Sequence, residues 1–248
     1  VKIFFDGVMT DAEIIINGKP AGELHQGGFY RFSYDITELL NLGKKNQLEV
    51  KVAKESANRS INAAERKADW WLFGGIYRPV WLEVLPQIHM KHFVLSADHK
   101  GKFQASIDME GDAKGHEIVV SVRSLKDGKT VYTSNGQTTI THPINNSGKE
   151  QMISGEWTNI VPWSTEAPNL YVAKLELKNP EGKIVQTRET RIGFRTIEFF
   201  PQDGVYLNGT KLVVKGINRH SFSVDGGRTT SAALSRMDAQ LIKEMNMN

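Results

Sequence analysis

Leu212-Val213-Val214-Lys215-Gly216-Ile217-Asn218-Arg219-His220 is the stretch on which the reading of this chain turns. Its first six residues are mostly apolar and β-branched, so they read as a strand, and a polar Arg-His pair follows at once. A loop rich in Gly, Ser and Thr then leads to residues 234–248. There Leu234, Met237, Leu241 and Met245 recur at helical spacing and form one apolar stripe. Ser235 with Asp238 three residues on resembles a capping box, with Asp a weaker partner than Glu. A strand that feeds a helix is half of a βαβ unit, and one such half cannot bury its own apolar faces. In a β/α barrel, functional side chains sit where strands end and βα loops begin. Arg219 and His220 hold that position. The chain is therefore expected to be the front part of a larger enzyme, stopping as its catalytic domain starts. The helix near 235–246 is expected to pack on little.

Bulk properties narrow the classes. The 248 residues, 40% of them hydrophobic, suffice for one large domain or two ordinary ones. With 31 basic against 28 acidic residues, the net charge is +3 and no basic block appears, so nucleic acid is not expected as a partner. Apolar runs are far too short to span a bilayer, so no membrane partner is expected either. No cysteine occurs, which removes disulfides and thiolate metal sites but leaves periplasm, exterior and cytoplasm all open. No signal peptide is visible. Val1-Lys2-Ile3-Phe4-Phe5 reads as the middle of a strand, so further chain is expected before it.

Upstream of the opening stretch the pattern is β throughout. Glu13-Ile14-Ile15-Ile16 runs into Asn17-Gly18, a hairpin signal, and residues 47–52 alternate strictly. Residues 80–84 form another strand that ends near Pro86, a natural boundary. About seven short strands follow over residues 87–195, which suits an immunoglobulin-like sandwich. Asp127-Gly128 and Asn179-Pro180-Glu181-Gly182 mark its turns. Residues 206–212 read as a hairpin around Asn208-Gly209.

Two clusters carry candidate chemistry. Arg219 and His220 are either an ordinary polar pair at a strand end or the lining of a pocket for a hydroxyl-rich substrate. Arg is a rigid multiple donor and His can donate or accept, and the strand-end position favours the pocket. In Asp69-Trp70-Trp71-Leu72-Phe73-Gly74-Gly75-Ile76-Tyr77-Arg78-Pro79, a carboxylate could accept from paired sugar hydroxyls while an indole covers the C–H face of the ring. Most of these aromatics are expected to fill a core instead, with Gly74-Gly75 only a bend. Asp69 is harder to dismiss, because an acid among aromatics must find a partner. Trp157, Trp163 and Tyr171 are expected in packing. His89 and His92 should point to opposite faces of a strand, a poor metal site. Asp225-Gly226-Gly227-Arg228 reads as a charged turn. No pair of catalytic carboxylates stands out.

Taken in order, these pieces resemble the front portion of glycoside hydrolase family 2, most closely its bacterial β-galactosidases. The resemblance is carried by Phe5-Asp6-Gly7-Val8, by Asn17-Gly18 with Gly22, and by Gly27-Gly28-Phe29 running to Phe32 and Asp35-Ile36-Thr37. Asp69 with Trp71 and Gly75-Ile76-Tyr77-Arg78-Pro79-Val80 come next, then Trp163, Pro168 with Leu170-Tyr171, and Gly193-Phe194-Arg195. Lys215-Gly216-Ile217-Asn218-Arg219-His220 and residues 241–246 complete it. The resemblance implies a mainly β chain: a jelly-roll sugar-binding sandwich over 1–86, an immunoglobulin-like sandwich over 87–195, and over 196–248 the first strand and helix of a TIM (β/α)8 barrel. It implies a retaining exo-β-glycosidase acting on terminal β-linked sugars, β-galactosides foremost, through two glutamates that would both lie beyond Asn248. Alone, the chain is then expected to be inactive. Asp69 and His220 carry over as substrate-binding residues, and Arg219 as support for the same wall. No cofactor is indicated by the residues, and the resemblance leaves room for Mg or Na in an intact enzyme, which it implies is a homo-oligomer. Two departures bear on the sugar: Met9 where the β-galactosidases place an Asn, and Ser221-Phe222 after Arg219-His220 where they place an acid and a His. A β-glucuronidase or β-mannosidase type therefore stays open, as does a stand-alone carbohydrate-binding protein of two sandwiches. A structural adhesion module is disfavoured by the Arg-His loop.

Overall fold

The computed structural model describes residues 1–67, 73–145 and 149–248. It divides into two compact units, one of Val1–Val84 with Ile217–Met245 and one of Leu85–Gly216 with Asn246–Asn248. In the first, Lys2–Phe5 is the middle strand of an antiparallel sheet between Phe32–Asp35 and Val80–Glu83. A second sheet is built around Asp11–Ile16, which pairs with Lys19–Pro20, His25–Gln26 and Leu48–Ala53. Side chains alternate across a strand, so Ile3 and Phe5 face one way from the first sheet, and Ala12, Ile14 and Ile16 from the second. With Val8 and Ile36 they form one buried core, which makes this unit a β-sandwich. The Asn17-Gly18 hairpin is as expected, with both residues at positive φ (51° and 79°).

The second unit packs two four-stranded antiparallel sheets. One runs His89–Ala97, Lys102–Glu110, Glu150–Thr158, Tyr132–Thr133; the other runs Thr139–Pro143, Glu117–Ser124, Tyr171–Lys178, Ile184–Ile192. Phe103, Ala105 and Ile107 on one inner face meet Ile118, Val120, Val122, Ala173, Leu175 and Leu177 on the other, with Trp157 wholly buried between them. This is the immunoglobulin-like sandwich read from the strand spacing. Tyr171 is buried with it, while Trp163 lies half-exposed beneath the Arg195 guanidinium, 4.8 Å from the ring centroid. His89 is buried and His92 exposed, with an irregularity in the strand register between Met90 and His92. A three-stranded sheet of Ile197–Phe200, Gly204–Leu207 and Thr210–Leu212 follows, turning on Asn208-Gly209.

Two local readings need correction. The strand expected over 212–217 is paired only as far as Leu212. Val213, Val214 and Ile217 remain 70%, 64% and 52% exposed, because among the described residues no strand lies alongside to take their backbone groups. The final helix is Ala232–Glu244, and its cap is Ser231, whose hydroxyl accepts from the Leu234 N–H at 3.1 Å. Ala232 and Ala233 are strong helix formers, so the first turn starts before Ser235, and Asp238 is drawn to Arg219 instead. No residue of this helix is buried, as the lack of partners for its stripe suggested. Among the described residues, no helix is long and apolar enough to cross a membrane.

Candidate functional site

Within the first unit, a cleft of about 220 Å³ gathers side chains from three distant parts of the sequence. Phe29 comes from the loop after His25–Gln26, and Phe73, Tyr77 and Arg78 flank the short strand Gly75–Ile76. Residues 219–222 and Arg228 come from the loop before the last helix.

The Phe29 wall is held from beneath. Both Glu65 oxygens accept the Gly28 N–H, at 3.0 and 2.9 Å, from the short helix Arg59–Arg66. The Tyr77 hydroxyl donates to the Gly28 carbonyl. The His25 imidazole lies 2.8 Å from the Gly27 carbonyl and stacks on Phe32. Burial pushes the His25 pKa below its ordinary value, against the pull of the Gly27 carbonyl, Asp11 and Glu65. Asp11 is buried in the same layer. Burial alone would raise its pKa, but hydrogen bonds from Ser56, the Ala57 N–H and Gln26, with His25 nearby, hold it below the usual carboxylate value.

The opposite wall is cationic. Arg219 donates through Nε to Asp238 at 2.6 Å, tying the strand-end loop to the final helix, and through Nη1 to Ser221 at 3.3 Å. Ser223 and Gly227 exchange backbone hydrogen bonds that close the turn presenting Arg228. The Arg228 guanidinium sits 4.7 Å from the Phe29 ring centroid and 5.9 Å from that of Tyr77. Its Nη1 lies 3.5 Å from the Met9 sulfur, a weak acceptor. Arg78 leans on the same Tyr77 ring at 5.5 Å. Phe73 and Phe222 stack at 6.1 Å. None of the described residues lining this cleft is a carboxylate. The nearby Asp6 accepts instead from Arg31 at 2.6 Å and Trp81 at 3.2 Å.

Of the residues singled out in the sequence, Arg219 and His220 come together in this cleft. Asp69 lies outside the described residues, with Trp70 and Trp71. For Phe73 and Tyr77 the expectation of core packing is corrected: both line the cleft, because Gly74-Gly75 carries them to its rim rather than into the sandwich. Phe29 and Arg78 were named only as parts of longer motifs, and Arg228 as part of a charged turn near the presumed site. A signal was there, since the chain contains three Gly-Gly pairs, at 27–28, 74–75 and 226–227, and each is followed within two positions by a residue of this cleft. The absence of side chains allows close approach. A Cβ on Gly28 would lie 3.1 Å from the Met9 side chain, and one on Gly227 3.1 Å from the Phe73 ring. Among the described residues, no group of three or more His, Asp and Glu converges as metal ligands would.

Comparison with known proteins places this geometry in a family. The model for the sugar binding domain of glycosyl hydrolases family 2 matches residues 1–86, a second family 2 model matches 87–195, and the family 2 TIM barrel domain matches 201–248. The chain belongs to glycosyl hydrolases family 2. A putative β-glucuronidase of Formosa agariphila is 30% identical over 264 residues, covering 100% of this family 2 chain and 29% of that protein. A β-galactosidase of Thermoanaerobacter pseudethanolicus is 30% identical over 253 residues, covering 100% and 33%. The crystal structure of Bacteroides uniformis β-glucuronidase matches with a TM-score of 0.78 at 27% identity, covering 100% of this chain and 30% of that one. The family 2 chain thus spans a third or less of the length of these relatives.

Proposed function

We propose that this chain supplies the accessory β-domains and one wall of the sugar pocket of a retaining exo-β-glycosidase that acts on terminal β-linked sugars. The observation that carries this reading is the cleft itself. Four aromatic side chains and an Arg-His pair, set where the family's barrel begins, suit the C–H face and the hydroxyls of a pyranose. Glycoside hydrolysis with retention needs two carboxyl groups roughly 5–5.5 Å apart. In this reading the chain binds or orients sugar, and both carboxyl groups come from the remainder of a protein as long as its relatives, of which it spans 29% and 33%. In this reading Arg219, held by Asp238, braces the loop that carries His220 towards the sugar, and Asp69 accepts from its hydroxyls. The relatives carry both β-galactosidase and β-glucuronidase names, and both sugars fall within the reading.

The test is release of p-nitrophenol from aryl β-galactoside and aryl β-glucuronide. The purified 248-residue chain is expected to release none above buffer. A protein that extends this chain to the length of its relatives is expected to turn over at least one of the two, with retained anomeric configuration by NMR. Turnover by the short chain would overturn the division of labour, and none by the long one would overturn the glycosidase reading.

A further inference from the structure

We propose that Asn135 is a site of spontaneous chemical modification, losing its side-chain amide to the neighbouring Gly136 and becoming aspartate and isoaspartate, while the fold holds back the two other Asn-Gly pairs. The proposal stands apart from the glycosidase reading. Asn-Gly occurs three times, at 17–18, 135–136 and 208–209. The reaction needs the glycine nitrogen at the Asn side-chain carbonyl carbon, and glycine has no Cβ to obstruct that approach. Open space does not separate the three pairs, because a Cβ on Gly18, Gly136 or Gly209 would meet nothing within 4 Å. The hydrogen bonds of the Asn amides do.

Asn17 and Asn208 each sit in a two-residue hairpin, with Ile16 facing Lys19 and Leu207 facing Thr210, and each is clamped by a further segment. The Asn17 N–H donates to the Gln47 carbonyl and its Oδ1 accepts the Gln47 N–H, both at 2.9 Å. Its Nδ2 donates to the Leu39 carbonyl and to Asn46 Oδ1, both at 2.8 Å. Asn208 pairs in the same way with Thr196, through its N–H and its Oδ1, both at 2.9 Å, and its Nδ2 donates to the Trp163 carbonyl at 3.0 Å. Neither carbonyl carbon can turn to its glycine without giving up these side-chain bonds together.

The Asn135 amide forms no hydrogen bond among the described residues. It lies in the turn that carries the chain from Tyr132–Thr133 in one sheet to Thr139–Pro143 in the other, and residues 134–138 are all exposed. The Gly136 N–H donates to the Thr133 carbonyl at 2.9 Å, so this turn must open before the nitrogen can attack. With no buried side chain from 134 to 138 to hold it, opening is a local fluctuation of an exposed loop tip. The Gly136 nitrogen then loses its proton to a base and bonds to Asn135 Cγ. The Cγ–Nδ2 bond breaks, and the nitrogen leaves as ammonia after taking a proton back from solvent. Water opens the resulting five-membered imide at either carbonyl, giving aspartate or isoaspartate, and nothing is oxidised or reduced. Isoaspartate adds a methylene to the main chain, which pulls against the 3.0 Å bond from the Ser134 N–H to the Glu156 carbonyl.

The test compares the three pairs within one sample. The 248-residue chain is incubated at pH 8.5 and 37 °C, folded and in 8 M urea, and each pair is followed by peptide mapping. Fragment ions separate Asn135 from Asn145 and Asn146 in the tryptic peptide 130–149. In urea the three are expected to react at similar rates. In the folded chain Asn17 and Asn208 are expected to slow roughly tenfold or more relative to Asn135. Protection of Asn135 equal to theirs, or reaction at either of them as fast as at Asn135, would overturn the proposal. Gly136→Ala, measured in urea so that the fold of the turn plays no part, should slow Asn135 several-fold, and wild type should yield isoaspartate beside aspartate. An unchanged rate, or aspartate alone, would mean direct hydrolysis by water and would overturn the glycine route.

Discussion

The strand Glu117–Ser124 and residues 213–217 are written in the same alphabet, yet they meet different fates. In the first, Ile118, Val120 and Val122 are at most 1% exposed, and the strand is paired on both sides by Thr139–Pro143 and Tyr171–Lys178. In the second, Val213, Val214 and Ile217 stand in solvent and no ladder forms. The helix beyond them repeats the lesson, with a clean apolar stripe and no buried residue. Strand propensity describes how well a side chain suits a pleated, half-buried surface, and it yields no strand where that surface is missing. Stability should therefore be concentrated in the sandwich of the second unit.

The strongest way to break that comparison is to excavate the sandwich. Trp157 is fully buried and meets Phe103 edge-on at 6.4 Å. Trp157→Ala is expected to cost roughly 3–5 kcal/mol by urea unfolding, the usual range for emptying so large a core site. A cost near zero would show that the sandwich is not where stability resides.

Acidification should sharpen the comparison from the first unit's side. The pKa of His25 is depressed by burial and that of Asp11 by its hydrogen bonds, so in both cases the unfolded chain binds protons more readily than the folded one. Their contributions are complete above the unfolded values, roughly 6.5 and 4, and are lost as pH falls through the lower folded values. The first unit should lose stability from about pH 6.5 downward, with Asp11 adding to the loss below about pH 4. His25→Gln should flatten the upper part of that slope in thermal melts, and an unchanged slope would exclude His25 as its source.

The smallest effect belongs to the exposed helix. Leu241, about half exposed, should tolerate replacement by Ala within about 0.5 kcal/mol. Amides of Ala232–Glu244 should exchange far faster than those of Glu117–Ser124. Strong protection of the helix in a monomer would contradict the contrast.

Much of the fold could be read before the structure, for reasons that stay local. Asn17-Gly18 and Asn208-Gly209 each specify a hairpin because only such residues enter positive φ cheaply, and period-2 alternation marked the strands around them. The errors were local as well. Ser235 could not be told from Ser231 as a cap, because both precede helix-forming residues, and the preference of Asp238 for Arg219 spans 19 residues.

The site was only half legible. Arg219 and His220 stood out by position after a strand-like run. Arg228 looked like part of a turn, and its place in the cleft depends on Phe29 and Tyr77, about 200 and 150 residues earlier. Side-chain alternation and turn chemistry are written between neighbours, so the amino-acid order alone determined two β-sandwiches and a helix late in the chain. Which residues meet around the cleft depends on contacts between remote segments. Those contacts, and the cleft they create, were decided only when the chain folded.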